Sequence, residues 1–236
     1  MYTNQARHDN LANPVASNHV VQVCQNEALQ AETVTQYIKE GLLKGEAVIV
    51  IARPALRKAV VAKMYALDLD VQTFKSQGQI KFLDAEFLLS GLWIDGELDE
   101  QSFHHLVGIS IKALKLQYGK VRAMGEMVDI LWKQGQHDTA MQLEGLWNDL
   151  FQQQEFSRLC TYLVESLDPN TYDESLERIC QCHTHHFISV ENYDSLKPAT
   201  SDAVRDLFGA AWNRVVDKLA DSQRVSVQMP SAQAPL

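Results

Sequence analysis

Short apolar, β-branched runs alternate along this chain with longer segments whose apolar residues recur every three or four positions. The runs are HVVQVC at 19–24, EAVIVIA at 46–52, IKFLDA at 80–85, KVRAM at 120–124 and RLCTYLV at 158–164, and they predict five strands. VIVIA is apolar at every position, as a strand covered on both faces must be, and the intervals between runs have room for crossover helices. The pattern predicts an α/β fold with a mostly parallel central sheet flanked by helices.

Between the runs, Asn26 is placed to cap a helix that continues through Ile38 and stops at Gly41, and Pro54 stands where a first helical turn tolerates proline. The segment 99–117 sets Phe103, Leu106, Val107, Ile111 and Leu114 on one stripe, and 137–156 does the same with Met141, Leu143, Leu146, Trp147 and Leu150. Both read as covering helices. A helix over 171–183 is followed by an irregular stretch, HFISVENYDSLKPAT, and then by an amphipathic C-terminal helix over 201–222. Its stripe of Val204, Leu207, Phe208, Ala211, Val215 and Leu219 either packs on its own domain or presents a partner or homodimer surface. Because it follows a proline-bearing linker, partner binding is the expectation. The chain thus divides into a flexible segment at 1–18, an α/β domain at 19–193, a linker and helix at 194–224, and a disordered tail at 225–236 that has no charge and two prolines.

Composition narrows the function classes. With 46% hydrophobic residues the chain can build a core, and 30 Asp+Glu against 21 Lys+Arg give a net charge of -9 that disfavours nucleic acid and anionic membranes. A basic-then-apolar leader is missing, as is any run of 18 apolar residues, so a cytoplasmic protein with reduced cysteines is expected.

Ligands of open parallel sheets sit beyond the carboxyl ends of the strands, which singles out Arg53, Asp84 and Glu126, with Tyr162 placed at the same edge. Arg53, followed by Arg57 and Lys58 at a helix start, suits an anion clamp, although Arg57 and Lys58 read rather as the solvated face of an amphipathic helix and Arg53 is the better candidate. Glu126 suits an acid/base group or an acceptor for a ligand hydroxyl, or else complements a helix dipole. The loop ARPALRKA has no glycine and no Lys-Ser/Thr pair, so it cannot wrap phosphates as a phosphate loop does; ATP hydrolysis is not expected. No nucleophile-and-base signature assigns a catalytic residue. The cluster CQCHTHH brings the thiols and imidazoles of Cys180, Cys182, His183 and His185 close together in sequence. Helical phase splits them over two faces, so a metal-free protein without cofactors is expected, a metal- or redox-responsive regulator being the alternative.

Several ordered blocks together carry a family resemblance: His19 opening the first strand, GLLKGEAVIVIA at 41–52, KVRAMGEMVDILW at 120–132, LEGLWNDL at 143–150, RLCTYL at 158–163 and ICQCH at 179–183. Over about 19–193 the chain resembles the methanogen/methylotroph DcmR sensory (MEDS) domain. That resemblance implies a RecA/KaiC-like three-layer α/β domain with a lost phosphate loop, used in prokaryotic signalling to sense small molecules such as hydrocarbon derivatives. By position it points to His19, Gly45, Glu46, Arg122, Gly125, Glu126, Glu144, Trp147, Cys160, Tyr162, Cys180 and His183. The expected protein is a non-enzymatic sensor that holds its ligand with His19, Arg53, Asp84, Arg122, Glu126, Cys160 and Tyr162 and relays to a histidine kinase or transcriptional regulator. A KaiC/RecA-like nucleotide-binding protein or ATPase is the alternative from the enzyme class.

Overall fold

A computed structural model describes residues 19–183 and 185–188, together with residues 210, 211, 214, 215, 217 and 218 of a C-terminal helix. The expectations for 1–18, for the linker, for Val204, Leu207, Phe208 and Leu219, and for the tail fall outside the described residues. Chain order begins β1 (His19–Cys24), α1 (Glu27–Leu43), β2 (Ala47–Ala52), α2 (Pro54–Ala66), α3 (Val71–Ser76), β3 (Ile80–Asp84) and α4 (Ala85–Ser90). A small hairpin follows, β4 (Trp93–Ile94) and β5 (Glu97–Leu98). After it α5 (Glu100–Phe103) runs through a π-turn at His104–Gly108 into α6 (Ile109–Tyr118). The remainder is β6 (Val121–Gly125), α7 (Met127–Lys133), α8 (His137–Gln153), β7 (Ser157–Leu163), α9 (Tyr172–Gln181) and β8 (His185–Ile188).

Six strands form one sheet in the order β3-β2-β6-β7-β1-β8, and every pairing in it is parallel. The five predicted strands are all present. The sixth, β8, starts one residue before the stretch expected to be irregular and runs into it, pairing with β1, Val20 opposite His185. Strands β1, β2, β6 and β7 are buried at every residue, while β3 at one edge is largely half-buried.

Alternation along each strand divides the core into two layers. Val48, Val50, Met124 and Leu159 meet Val34, Ile38, Val60 and Met64 of α1 and α2 on one face. Val21, Ile49, Ala123 and Tyr162 meet Phe103, Ile111, Leu143, Trp147 and Leu176 on the other. Connections from β1 and β2 cross the first face and those from β3, β6 and β7 cross the second. Neighbouring strands β2 and β6, and likewise β7 and β1, therefore send their chains to opposite sides of the sheet.

Local chemistry sets the helix ends. Asn26 caps α1 by accepting from the Leu29 amide at 3.0 Å, as expected. The helix does not stop at Gly41, which is interior to it. It ends at Lys44 and Gly45, and Gly45 takes φ +73°, which suits a residue without Cβ. The β4–β5 turn is made by Asp95 and Gly96, both at positive φ, as a tight two-residue hairpin requires. Among the described residues no helix is long and apolar enough to cross a membrane.

The C-terminal helix corrects one expectation. Ala211 and Val215 are buried in the larger core layer rather than exposed for a partner. Arg214 and Lys218 pair with Asp173 and Glu177 of α9, which lays this helix along α9.

Candidate functional site

The seven residues expected to hold a ligand occupy three separate places. At the carboxyl edge, Arg53 is the N-cap of α2 and Glu126 follows β6, across one of the two crevices between oppositely connected strands. The Arg53 amide donates to Glu126 Oε2 at 2.6 Å, and its Nε donates to Oε1 at 2.9 Å. The carboxylate of Glu126, buried to 1% exposure, thus fills the amino end of α2 where an anion would dock, and the Arg53 guanidinium is neutralised. The guanidinium expected to clamp an anion is thus paired with Glu126 in this structure. Beside them Asp84 caps α4 through the Phe87 amide and accepts from Arg57 Nη2 at 2.9 Å, which accounts for it structurally.

Arg122 lies on the opposite face of the sheet from Cys160 and Tyr162. Its Nε donates to Glu46 and its Nη1 to the Tyr37 carbonyl, while the guanidinium stacks 5.1 Å above the Tyr37 ring. It is a packed, paired core group at 1% exposure.

His19, Cys160 and Tyr162 come together in the third place. Register explains this: His19 stands opposite Arg158 in the β1–β7 ladder, so His19, Arg158, Cys160 and Tyr162 project from one face, beneath α8. Glu144 enters from α8 at 0% exposure, with His183 arriving from the turn after α9. Arg158 Nη1 donates to Glu144 Oε2 at 2.8 Å and the Tyr162 hydroxyl donates to Oε1 at 3.2 Å. His19 Nε2 is 3.2 Å from Cys160 Sγ and 3.5 Å from Glu144 Oε2, and His183 Nε2 is 3.6 Å from Glu144 Oε1. The two imidazoles lie 4.0 Å apart, centroid to centroid. Arg158 also stacks 4.3 Å above Trp147, whose ring packs near Phe103 and Phe156. Tyr162 therefore belongs to this network and not to the Arg53–Glu126 edge.

Burial dominates the electrostatics. It lowers the His19 imidazole well below its ordinary value, and the neighbouring His183 and Arg158 act in the same direction. It pushes the Cys160 thiol and the Tyr162 hydroxyl well up, with Glu144 adding to both. Burial also works to raise the Glu144 carboxyl, but Arg158 and His183, with the bonds from Arg158 and Tyr162, hold it below the usual carboxylate value.

Of the cluster at 180–185, His183 joins the network with its side chain, and the Cys182 carbonyl accepts from Asn148 Nδ2 at 3.4 Å. Because α9 ends at Gln181, Cys182 caps the helix with its sulfur 3.9 Å from Met141 Sδ, and Cys180 packs in the core. The residues that the ligand expectation left out are Glu144, Asn148, Arg158 and His183, of which the family resemblance had pointed to Glu144 and His183. For Glu144 the signal lies in helical phase: Ala140, Leu143, Glu144, Trp147 and Leu150 form the buried stripe of α8, which places a carboxylate among apolar neighbours. A surface cleft of about 560 Å³ opens elsewhere, between α4, the hairpin and the π-turn, and none of the seven expected ligand residues lines it.

The family model of the MEthanogen/methylotroph, DcmR Sensory domain (MEDS) matches residues 18–184, a span that includes every member of the buried network. Curated proteins give no match.

Proposed function

The chain belongs to the MEDS family of sensory domains, and from that premise we propose that it is a non-enzymatic small-molecule sensor. Its recognition element is the buried network of His19, Glu144, Arg158, Cys160, Tyr162 and His183. One observation carries this reading. Arg158 Nε and Nη2 and Trp147 Nε1 are buried with no hydrogen-bond partner among the described residues, beside a group of ionisable side chains sealed in the core. Each such donor costs about 1–3 kcal/mol when left unsatisfied, and buried charge pairs seldom add stability over apolar packing. A domain that keeps them gains something other than stability. Donors beside the Trp147 and Phe156 rings match a guest with a short hydrocarbon part and a hydrogen-bond acceptor.

A lost phosphate loop belongs to the same proposal. The turns that lead into α1 and α2, at Gln25-Asn26 and at Arg53, contain no glycine, and Glu126 sits where a phosphate would. Occupancy of the network would be relayed to a histidine kinase or transcriptional regulator. Nuclear magnetic resonance titration with short-chain alcohols, amines and halides tests the reading through the Trp147 indole N–H and the Arg158 guanidinium. Saturable shifts there, lost in Arg158→Met, are expected. Absence of a saturable response, or one that survives Arg158→Met unchanged, refutes it.

A further inference from the structure

We propose that His19, Glu144, Cys160 and His183 form a four-ligand site for a zinc-type divalent transition-metal ion. The proposal deepens the sensory reading of this network and rests on it.

Two imidazole nitrogens, a carboxylate oxygen and a sulfur are the donor set that borderline ions of this class take, and calcium or magnesium would call for oxygen alone. The four donor atoms lie within 4.8 Å of one another, all buried, though they come from positions 19, 144, 160 and 183 of the chain. Metal–ligand bonds of about 2.0–2.3 Å in a tetrahedron place neighbouring donors roughly 3.3–3.7 Å apart. The corresponding edges in the structure are 3.2 Å for His19 Nε2 to Cys160 Sγ, 3.5 Å for His19 Nε2 to Glu144 Oε2, and 3.6 Å for His183 Nε2 to Glu144 Oε1. Three edges of the coordination polyhedron are therefore already near their bound lengths.

The groups behind the donors are arranged as metal sites require. His183 Nδ1 lies 2.7 Å from the Ile179 carbonyl, which can only accept, so Nδ1 carries a proton and Nε2 is the atom offered to the cluster. His19 Nδ1 lies 2.9 Å from Asn148 Oδ1, which presents its Nε2 in the same way. Arg158 and Tyr162 fix the Glu144 carboxylate from behind. Charge balances as well: on binding, Cys160 releases its thiol proton to solvent, and the thiolate with the Glu144 carboxylate offsets the two positive charges of the ion. Arg158 keeps its bond to Glu144, and the carboxylate bridges ion and guanidinium.

The test uses the full chain, refolded or expressed with zinc and then dialysed, with metal measured by elemental mass spectrometry and cobalt(II) exchanged in as a spectroscopic probe. About one equivalent of metal per chain is expected, with a thiolate-to-cobalt charge-transfer band and tetrahedral visible bands. Cys160→Ser removes the charge-transfer band, Asn148→Ala weakens zinc binding about 10–100-fold, and Cys182→Ser changes neither. If Cys160→Ser fails to fold, wild-type protein alone decides: its cobalt thiolate band must appear, and chelation must lower its thermal midpoint reversibly. Wild-type protein with no stoichiometric metal and no cobalt band overturns the metal site. So does a full equivalent retained in both Cys160→Ser and His183→Gln. Either failure leaves the guest-binding reading standing on the Trp147 titration, which requires no metal, so the two fail separately.

Discussion

Substituting Gly41 by alanine pits two effects of similar size against each other. Gly41 lies inside α1, where alanine is better than glycine by about 1 kcal/mol from backbone entropy. A Cβ built there meets Arg122 Cδ at 2.7 Å, Arg122 Nε at 2.9 Å and Val48 Cγ2 at 3.2 Å. Contacts under 3.0 Å are forgiving only if the neighbour is the loose end of a side chain, and Arg122 is not. Its guanidinium is held by Glu46 and the Tyr37 carbonyl and stacked on the Tyr37 ring, so the stem cannot swing without breaking a buried pair. Overpacking of this kind costs about 1–3 kcal/mol, and detaching Arg122 from Glu46 would cost about 3–5 kcal/mol. The clash wins, for a net loss of about 2 kcal/mol, or roughly 4–8 °C in Tm for a chain of this size. Urea and thermal unfolding followed by circular dichroism measure it, in wild type and in Arg122→Met, whose shorter, uncharged chain can yield. Gly41→Ala should cost much less in the second background. A gain in stability in wild type, or the same loss in both backgrounds, would refute the assignment of Arg122 to packing.

Arg158→Met leaves Glu144 buried without its main partner and should lower stability by about 3 kcal/mol, while the double variant with Glu144→Gln recovers much of the loss; an additive double variant in chemical denaturation would contradict the coupling. Burial pushes the Cys180 thiol up to about 12, so native protein at pH 8 should alkylate at Cys180 far more slowly than unfolded protein, as peptide mapping after iodoacetamide reads out. Ala211→Asp places a charge at a position of 1% exposure and should lower the thermal midpoint of the whole domain by several degrees, from a loss of about 2–4 kcal/mol; an unchanged midpoint would return this helix to the surface.

The central strands are legible because burial on both faces leaves a run such as VIVIA with no polar position, and Pro54 and Asn26 mark their helix starts by local chemistry alone. The two missed pieces of sheet have local reasons. Strands β4 and β5 have two residues each, too short to show alternation, although Asp95-Gly96 is itself a hairpin signal. Strand β8 begins at His185, four residues past the end of α9, in a stretch rich in histidine and poor in β-branched residues. Gly41 resembled a helix stop but serves the close approach of Arg122, a contact between residues 81 positions apart that no window can reveal. Most members of the buried cluster were named from the family resemblance, but their convergence was hidden for the same reason. CQCHTHH drew attention because its ligands are adjacent in sequence, whereas the donors that converge in space are joined by strand register and helix docking.

The sheet order has a consequence for how the chain comes to be folded. Strand β1 is made before the other strands of its sheet, yet both of its neighbours are the last of that sheet to be made: His19 waits for Arg158, and Val20 for His185. Synthesis proceeds at about 5–20 residues per second, so β1 spends several seconds without a partner while β2, β3 and β6 already have theirs within reach. Pairings so distant in sequence form slowly. The cluster around Glu144 draws on the earliest strand and on the segments that close the sheet, so it cannot exist in any partly made chain. A ligand or ion that binds it selects the finished domain over every unfinished one, and a sensor built this way answers only once its own folding is complete.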